Sequence, residues 1–246
     1  MKRILGVIVM FVAALAQEKA RFEEVSIKPG DPSATGSSTN SSPGRFTAVN
    51  VTLKRLITRA YAVEPYQIEG GPKWMESERF TIAAKLEDDA VKDRSREERQ
   101  RILREALQNM LEERFQVTTH RESKTMPCFA LVVAKGGAKL KEVEAQGGSS
   151  WNSNRGVMTA NRMTMESFAA FLASVVERPV KDMTGLKASY ELKLEWLPDS
   201  ADVKAETSTA PSIYTAVQEQ LGLKLESIKA PVEMLVIDRA EKPTEN

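Results

Sequence analysis

Two side chains bound the chemistry open to this sequence, which holds one histidine, His120, and one cysteine, Cys128. A site built from several histidines is therefore out of reach, and His120-Arg121-Glu122 supplies too few ligands for a metal. Cys128 begins an apolar run, Cys128 to Val133, and reads as a small core residue rather than a nucleophile. With no second cysteine there is no intramolecular disulfide, so stability has to come from packing. The sequence contains no G-x-S-x-G elbow, S-x-x-K, H-E-x-x-H or Gly-rich phosphate loop. Carboxylates are plentiful (Glu23, Glu24, Glu87, Asp88, Asp89) but sit in hydrophilic runs, where nothing would raise a pKa for acid catalysis. No catalytic residue, metal or cofactor is assigned.

The residues that could instead recognise a partner are tryptophans. Trp74 follows the rigid bend Gly70-Gly71-Pro72, and a large aromatic on a loop is a common binding anchor. The same residue could fold back and plug the core beside Tyr61 or Tyr66, which is the preferred reading. Trp151 lies in the Gly147-Gly148-Ser149-Ser150 region, which reads as flexible, and is expected to be the more exposed of the two. Trp74 and Trp151 are the candidate ligand-binding residues.

The elements that position them follow from periodicity and caps. Phe22, Val25 and Ile27 mark a first strand, and residues 29–43 read as a mobile polar loop. A strand over Arg45–Val49 leads to a helix opened by Thr52, with Leu53, Leu56, Ile57, Ala60 and Tyr61 on one stripe. Phe80, Ile82 and Ala84 line one side of a strand. Ser95 and Glu98 form a capping box for a long helix that buries Ile102, Leu103, Leu107, Met110 and Leu111. Phe115–His120 and Cys128–Ala134 read as two strands joined by a turn, with Pro127 at a strand start. In the second half, Tyr190, Leu192, Leu194 and Trp196 alternate with Glu191, Lys193 and Glu195, so that strand wets one face. Leu131-Val132-Val133 and Leu235-Val236-Ile237 are apolar on both faces and should be central strands. A last helix, Ser212–Leu221, ends at Gly222.

The order of these elements repeats. GRFTAVNVTL from Gly44 aligns with GVMTANRMTM from Gly156, 112 positions on, and Ile68 with Val180 at the same offset. The Phe80 strand aligns with the Tyr190 strand at 110, Arg114–Val117 with Gly222–Leu225 at 108, and the Pro127 strand with the Pro231 strand at 104. Shortened loops in a duplicated unit would give such a falling offset. The expected fold is α+β: two tandem copies of a β-α-β-β-α-β-β unit, in antiparallel or mixed sheets with helices packed on one face. The copies would span residues 17–137 and 156–246, joined by a Gly/Ser-rich connection at 138–155.

Residues 1–16 read as a signal peptide: Lys2 and Arg3, the apolar run Ile4–Ala13, then Ala14-Leu15-Ala16 with cleavage before Gln17. That run is short of the roughly 20 apolar residues a membrane span needs, and no cysteine follows it to carry a lipid. A periplasmic or secreted location is expected, with no stable membrane span after cleavage. The mature chain of 230 residues would carry 33 Lys+Arg against 34 Asp+Glu, a formal charge of −1 where the whole chain has +1. Such balance offers no basic surface for nucleic acid.

Six stretches together carry a family resemblance: FEEVSIKP, GRFTAVNVTLKRLITRAYAV, YQIEGGPKWM, HRESKTMPCFALVVAKGG, RPVKDMTGLKASYELKLEW and LGLKLESIKAPVEMLVIDRAEKPTEN. Across nearly the whole mature length the chain resembles a large paralogous family of exported proteins from soil acidobacteria, classed as a domain of unknown function. The resemblance implies secretion and transfers no catalytic residue. It also implies that related domains are sometimes joined to membrane metallopeptidases similar to β-lactam sensors; no such segment is read here, which weakens a receptor role. The expected function is a non-catalytic extracytoplasmic module that binds an envelope protein or a small ligand. The alternatives are a sensor or regulatory domain acting with an envelope metallopeptidase and, last, an uncharacterised hydrolase.

Overall fold

The computed structural model describes residues 19–31, 33, 34, 36–144, 149–198 and 210–243. The signal-peptide reading of residues 1–16 lies outside them. In chain order the strands are β1 (Phe22–Pro29), β2 (Ser38–Ser42), β3 (Arg45–Thr52), β4 (Ile68–Gly70), β5 (Arg79–Leu86), β6 (Thr118–Val133), β7 (Lys141–Val143), β8 (Ser150–Asn154), β9 (Val157–Thr164), β10 (Val180–Asp182), β11 (Ser189–Glu195) and β12 (Leu223–Arg239). The helices are α1 (Leu53–Tyr61), α2 (Trp74–Ser77), α3 (Asp88–Val91), α4 (Arg96–Phe115), α5 (Met165–Val176) and α6 (Ile213–Leu221). The fold is α+β with three four-stranded sheets, two antiparallel and one mixed. No helix among the described residues is long and apolar enough to cross a membrane.

The chain divides into two compact units. One is Met1–Ala62, Gly71–Thr118 and Asp238–Asn246; the other is Val63–Gly70 and Thr119–Ile237.

In the first unit the sheet order is β1-β5-β3-β2. Thr52 caps α1 by accepting the Arg55 N–H, and Leu53, Leu56, Ile57 and Ala60 are buried as their spacing requires. Ser95 and Glu98 close the capping box of α4, which packs on α1 and β1. The buried stripe of α4 lies in its C-terminal half: Leu107, Met110 and Leu111 are buried, whereas Ile102 and Leu103 are only partly covered. The loop expected at 29–43 contains β2, whose Ser, Thr and Asn residues pair with β3 from Ser38↔Val49 to Ser42↔Arg45. Main-chain pairing needs no apolar side chain, so alternation could not announce it. Arg55 and Arg59 of α1 then donate to the hydroxyls of Ser37 and Ser41.

In the second unit one sheet runs β7-β11-β9-β8 and the other β10-β6-β12-β4. Tyr190, Leu192, Leu194 and Trp196 are buried, as the alternation predicts, in a cluster with Phe168, Leu172, Val217 and Leu131. The segment read as a connection supplies both edge strands, β7 and β8. β6 and β12 are central, as their two-sided apolar runs require, but each is longer than expected. What reads as two strands and a turn is one strand of 16 residues in β6, and β12 likewise runs for 17. Pro127 is tolerated inside β6 because of direction. The Phe129 N–H donates to Pro179 O at 2.8 Å, on the β10 side, so the nitrogen of Pro127 faces the same side before β10 begins.

The two antiparallel sheets are built by the same steps. Gly44 and Gly156 have φ of 76° and 82°. Their carbonyls accept N–H bonds from Leu86 and Trp196, each at 2.7 Å. Asn50 and Arg162 have φ of 58° and 57°, where the pairings β3·β5 and β9·β11 shift register. Thr52 and Thr164 then cap α1 and α5.

Candidate functional site

In the first unit the break in β3 organises a groove. Asn50 is 1% exposed and adopts the left-handed conformation that Asn tolerates better than most residues. Its Nδ2 donates to Ala34 O at 3.2 Å and Gly36 O at 3.1 Å, pinning the segment after β1. Arg79 Nη1 donates to Asn50 O at 3.1 Å, and the Gly30 N–H donates to Arg79 O at 2.6 Å. A Cβ on Gly30 would lie 2.6 Å from Asn50 Oδ1 and 2.7 Å from Arg79 Cβ, so only glycine lets the strand ends approach this closely. Asn50 Oδ1 is buried and accepts no hydrogen bond from any described group.

These contacts bring the end of β1 and the start of β5 together as the walls of a groove of about 640 Å³, which Lys242 and Pro243 complete. Phe80, which lines it, belongs to an aromatic cluster. Phe80 meets Phe115 edge-on at 5.2 Å and Trp74 at 6.2 Å between ring centroids. The Glu241 N–H donates to Phe115 O at 2.7 Å, and Lys242 pairs with Glu78 at 2.6 Å, which seats the last described residues. Beside that pair stand two further cations, Lys28 and Arg79.

Trp74 opens α2 after the Gly-Gly-Pro bend and is partly buried against Phe80, so it caps aromatic packing rather than standing free. That packing is with Phe80 instead of Tyr61 or Tyr66. Trp151, in the other unit, is 59% exposed and sits on β8 rather than in a flexible stretch. Its ring lies 5.7 Å from Phe171 of α5, which also meets Trp196 at 5.9 Å and stacks on Phe168 at 6.3 Å. The two tryptophans thus belong to separate aromatic clusters. Asn50, Arg79 and Lys242 escaped the sequence reading. An Asn set between valines near a strand end was the one available signal for the first, and nothing local marks the other two.

Local hydrogen bonds and charges favour the charged form of three acids, Asp31, Glu76 and Glu98. The Lys54 ammonium lowers the Glu76 pKa, the Ser95 backbone N–H lowers that of Glu98, and the Ser33 hydroxyl lowers that of Asp31. Tyr66 moves the other way: burial, with Glu64 and then Cys128 adding to it, raises its phenol to about 12. Cys128 is buried, its Sγ 3.2 Å from Met126 O. His120 is exposed on β6. No group of three or more His, Cys, Asp or Glu among the described residues could hold a metal ion.

No curated protein and no solved structure matches the chain. Residues 54–240 match the family described as "Protein of unknown function (DUF3738)", a span that begins at the second residue of α1 and runs past the end of β12. The chain belongs to that family.

Proposed function

We propose that this protein is an exported, non-catalytic binding module and that the groove between the ends of β1 and β5 seats a small apolar ligand. The observation that carries the reading is the groove itself, of about 640 Å³ and walled by Ile27, Pro29, Phe80 and Pro243. That size lies within the roughly 300–1,000 Å³ of small-molecule sites. Its wall is pre-formed by Asn50 and Arg79, so a ligand need not order a loop. The neutral dye N-phenylnaphthylamine should fluoresce on binding the full chain, and Ser77→Trp, which fills the groove from an exposed position, should abolish the signal while leaving the circular dichroism unchanged. A dye signal that persists in Ser77→Trp, or none in the unaltered protein, would end this reading.

A second reading, recognition of an envelope protein, is favoured by Trp151: a large exposed ring braced by Phe171 on the uncharged edge strand β8. Capture of a membrane metallopeptidase that fails with Trp151→Ala would turn the reading towards a sensor or regulatory domain. Export rests on the charge, apolar run and small residues of Met1–Ala16, and the exported form should begin at Gln17 on N-terminal sequencing.

We also infer that the chain arose by duplication. The sheets β1-β5-β3-β2 and β7-β11-β9-β8 correspond strand for strand, and β6 maps onto β12 at a single offset of 106 rather than falling from 108 to 104. In this view the copies exchange short strands: β4 of the first pairs with β12, and β10 of the second with β6.

A further inference from the structure

The groove of the first unit is not neutral. Among the described residues that line it are three cations, Lys28, Arg79 and Lys242, and one carboxylate, Glu78. Glu78 is taken by Lys242 at 2.6 Å. Arg79 spends one N–H on Asn50 O, which leaves other donors of its guanidinium fork unused by that bond. Lys28 is exposed and has no ion-pair partner among the described residues. Among the described residues, Lys28 and Arg79 therefore have no carboxylate partner in a groove whose lining is otherwise mostly apolar.

Resting on the binding reading above, we propose that the ligand is an amphiphilic acid, an alkyl or aryl carboxylate. Its apolar body lies along Ile27, Pro29 and Phe80, and its carboxylate meets Lys28 and Arg79. The chemistry fits in both halves. An apolar body covers Pro29 and Pro243, the apolar lining residues left open to solvent, and a carboxylate accepts from a guanidinium fork in a geometry that a hydroxyl cannot match. A cationic amphiphile would meet like charge at the same mouth, and a neutral one would leave both cations without a counter-charge.

Displacement of N-phenylnaphthylamine from the full chain tests this with three probes of one chain length: decanoate, decanol and decyltrimethylammonium. Decanoate should displace the dye about tenfold more effectively than decanol, and the ammonium least. Lys28→Glu should remove most of the preference for decanoate and leave decanol unchanged, while Lys28→Arg should restore it. Because Lys28 is exposed and outside the core, both variants should fold. Equal displacement by decanoate and decanol would overturn the assignment of an acid while leaving the groove as an apolar site. Failure of the dye and of every decyl probe to bind would overturn both readings together.

Discussion

The C-terminal end of α6 offers a quantitative test of how the second unit is held. Gly222 has φ of 65° and ends the helix, and an added Cβ would lie 2.1 Å from Gly137 O and 2.9 Å from Lys139 N. The segment that follows β6 wraps this cap: the Ala134 N–H donates to Gly222 O at 2.9 Å and the Lys139 N–H to Leu221 O at 2.8 Å. In Gly222→Ala the left-handed backbone costs about 1 kcal/mol. Relieving the clash to an ordinary carbon–oxygen contact requires a shift of roughly 1 Å. Such a shift takes both wrapping hydrogen bonds, each worth about 1 kcal/mol net, out of bonding range. The sum is about 3 kcal/mol, a large share of the 5–15 kcal/mol that typically holds a domain together. The control is the corresponding residue at the end of α4, Gln116, which has φ of 51° and already carries a side chain there. Gln116→Ala should change stability by only a few tenths of a kcal/mol, and Gln116→Gly should gain up to about 1 kcal/mol. Urea unfolding followed by tryptophan fluorescence reads the difference as a midpoint lowered by about 1–3 M for Gly222→Ala. A loss below about 1 kcal/mol would mean that the wrapping segment yields freely, and the account of the cap would be wrong.

Two further outcomes follow from single side chains. Tyr66 has its phenol raised from 10 to about 12 by burial, Glu64 and Cys128, so the folded state holds that proton more tightly than the unfolded chain does. Its contribution is therefore complete below pH 10 and is lost as pH rises towards 12; Tyr66→Phe should flatten the stability–pH curve in that alkaline window, and an unchanged slope would refute the assignment. At Asn50, Asn50→Gly keeps the backbone but loses the bonds to Ala34 O and Gly36 O, whereas Asn50→Ala also pays for a left-handed alanine. Thermal or urea unfolding should find the alanine variant less stable than the glycine variant by about 1 kcal/mol. The reverse order would show that backbone strain does not govern this position.

Short-range features are written directly in the order of residues. Thr52, Ser95, Thr164 and Ser212 accept backbone N–H groups at four helix starts. The alternation from Tyr190 to Trp196 separates core from solvent, and the two-sided apolar runs at Leu131 and Leu235 identify central strands. A cap or a face depends on residues a few positions apart, so it survives in the one-dimensional pattern. The Gly-Gly-Pro bend before Trp74 was legible for the same reason, though not the partner it finds in Phe80.

The strand pairings and the groove arise from contacts between distant segments. The polar strands β2 and β8 owe their form to main-chain bonds with β3 and β9, which no side-chain period records. Pro127 reads as the start of a strand, yet it lies inside β6 where its missing donor faces a side on which β10 has not begun, and Pro231 likewise lies inside β12, before the stretch that pairs with β4. The groove joins residues from β1, the start of β5 and the segment after β12, with Lys242 set against Glu78. Contacts between residues so far apart in the chain are fixed by packing and by where backbone donors point, and neither leaves a local trace.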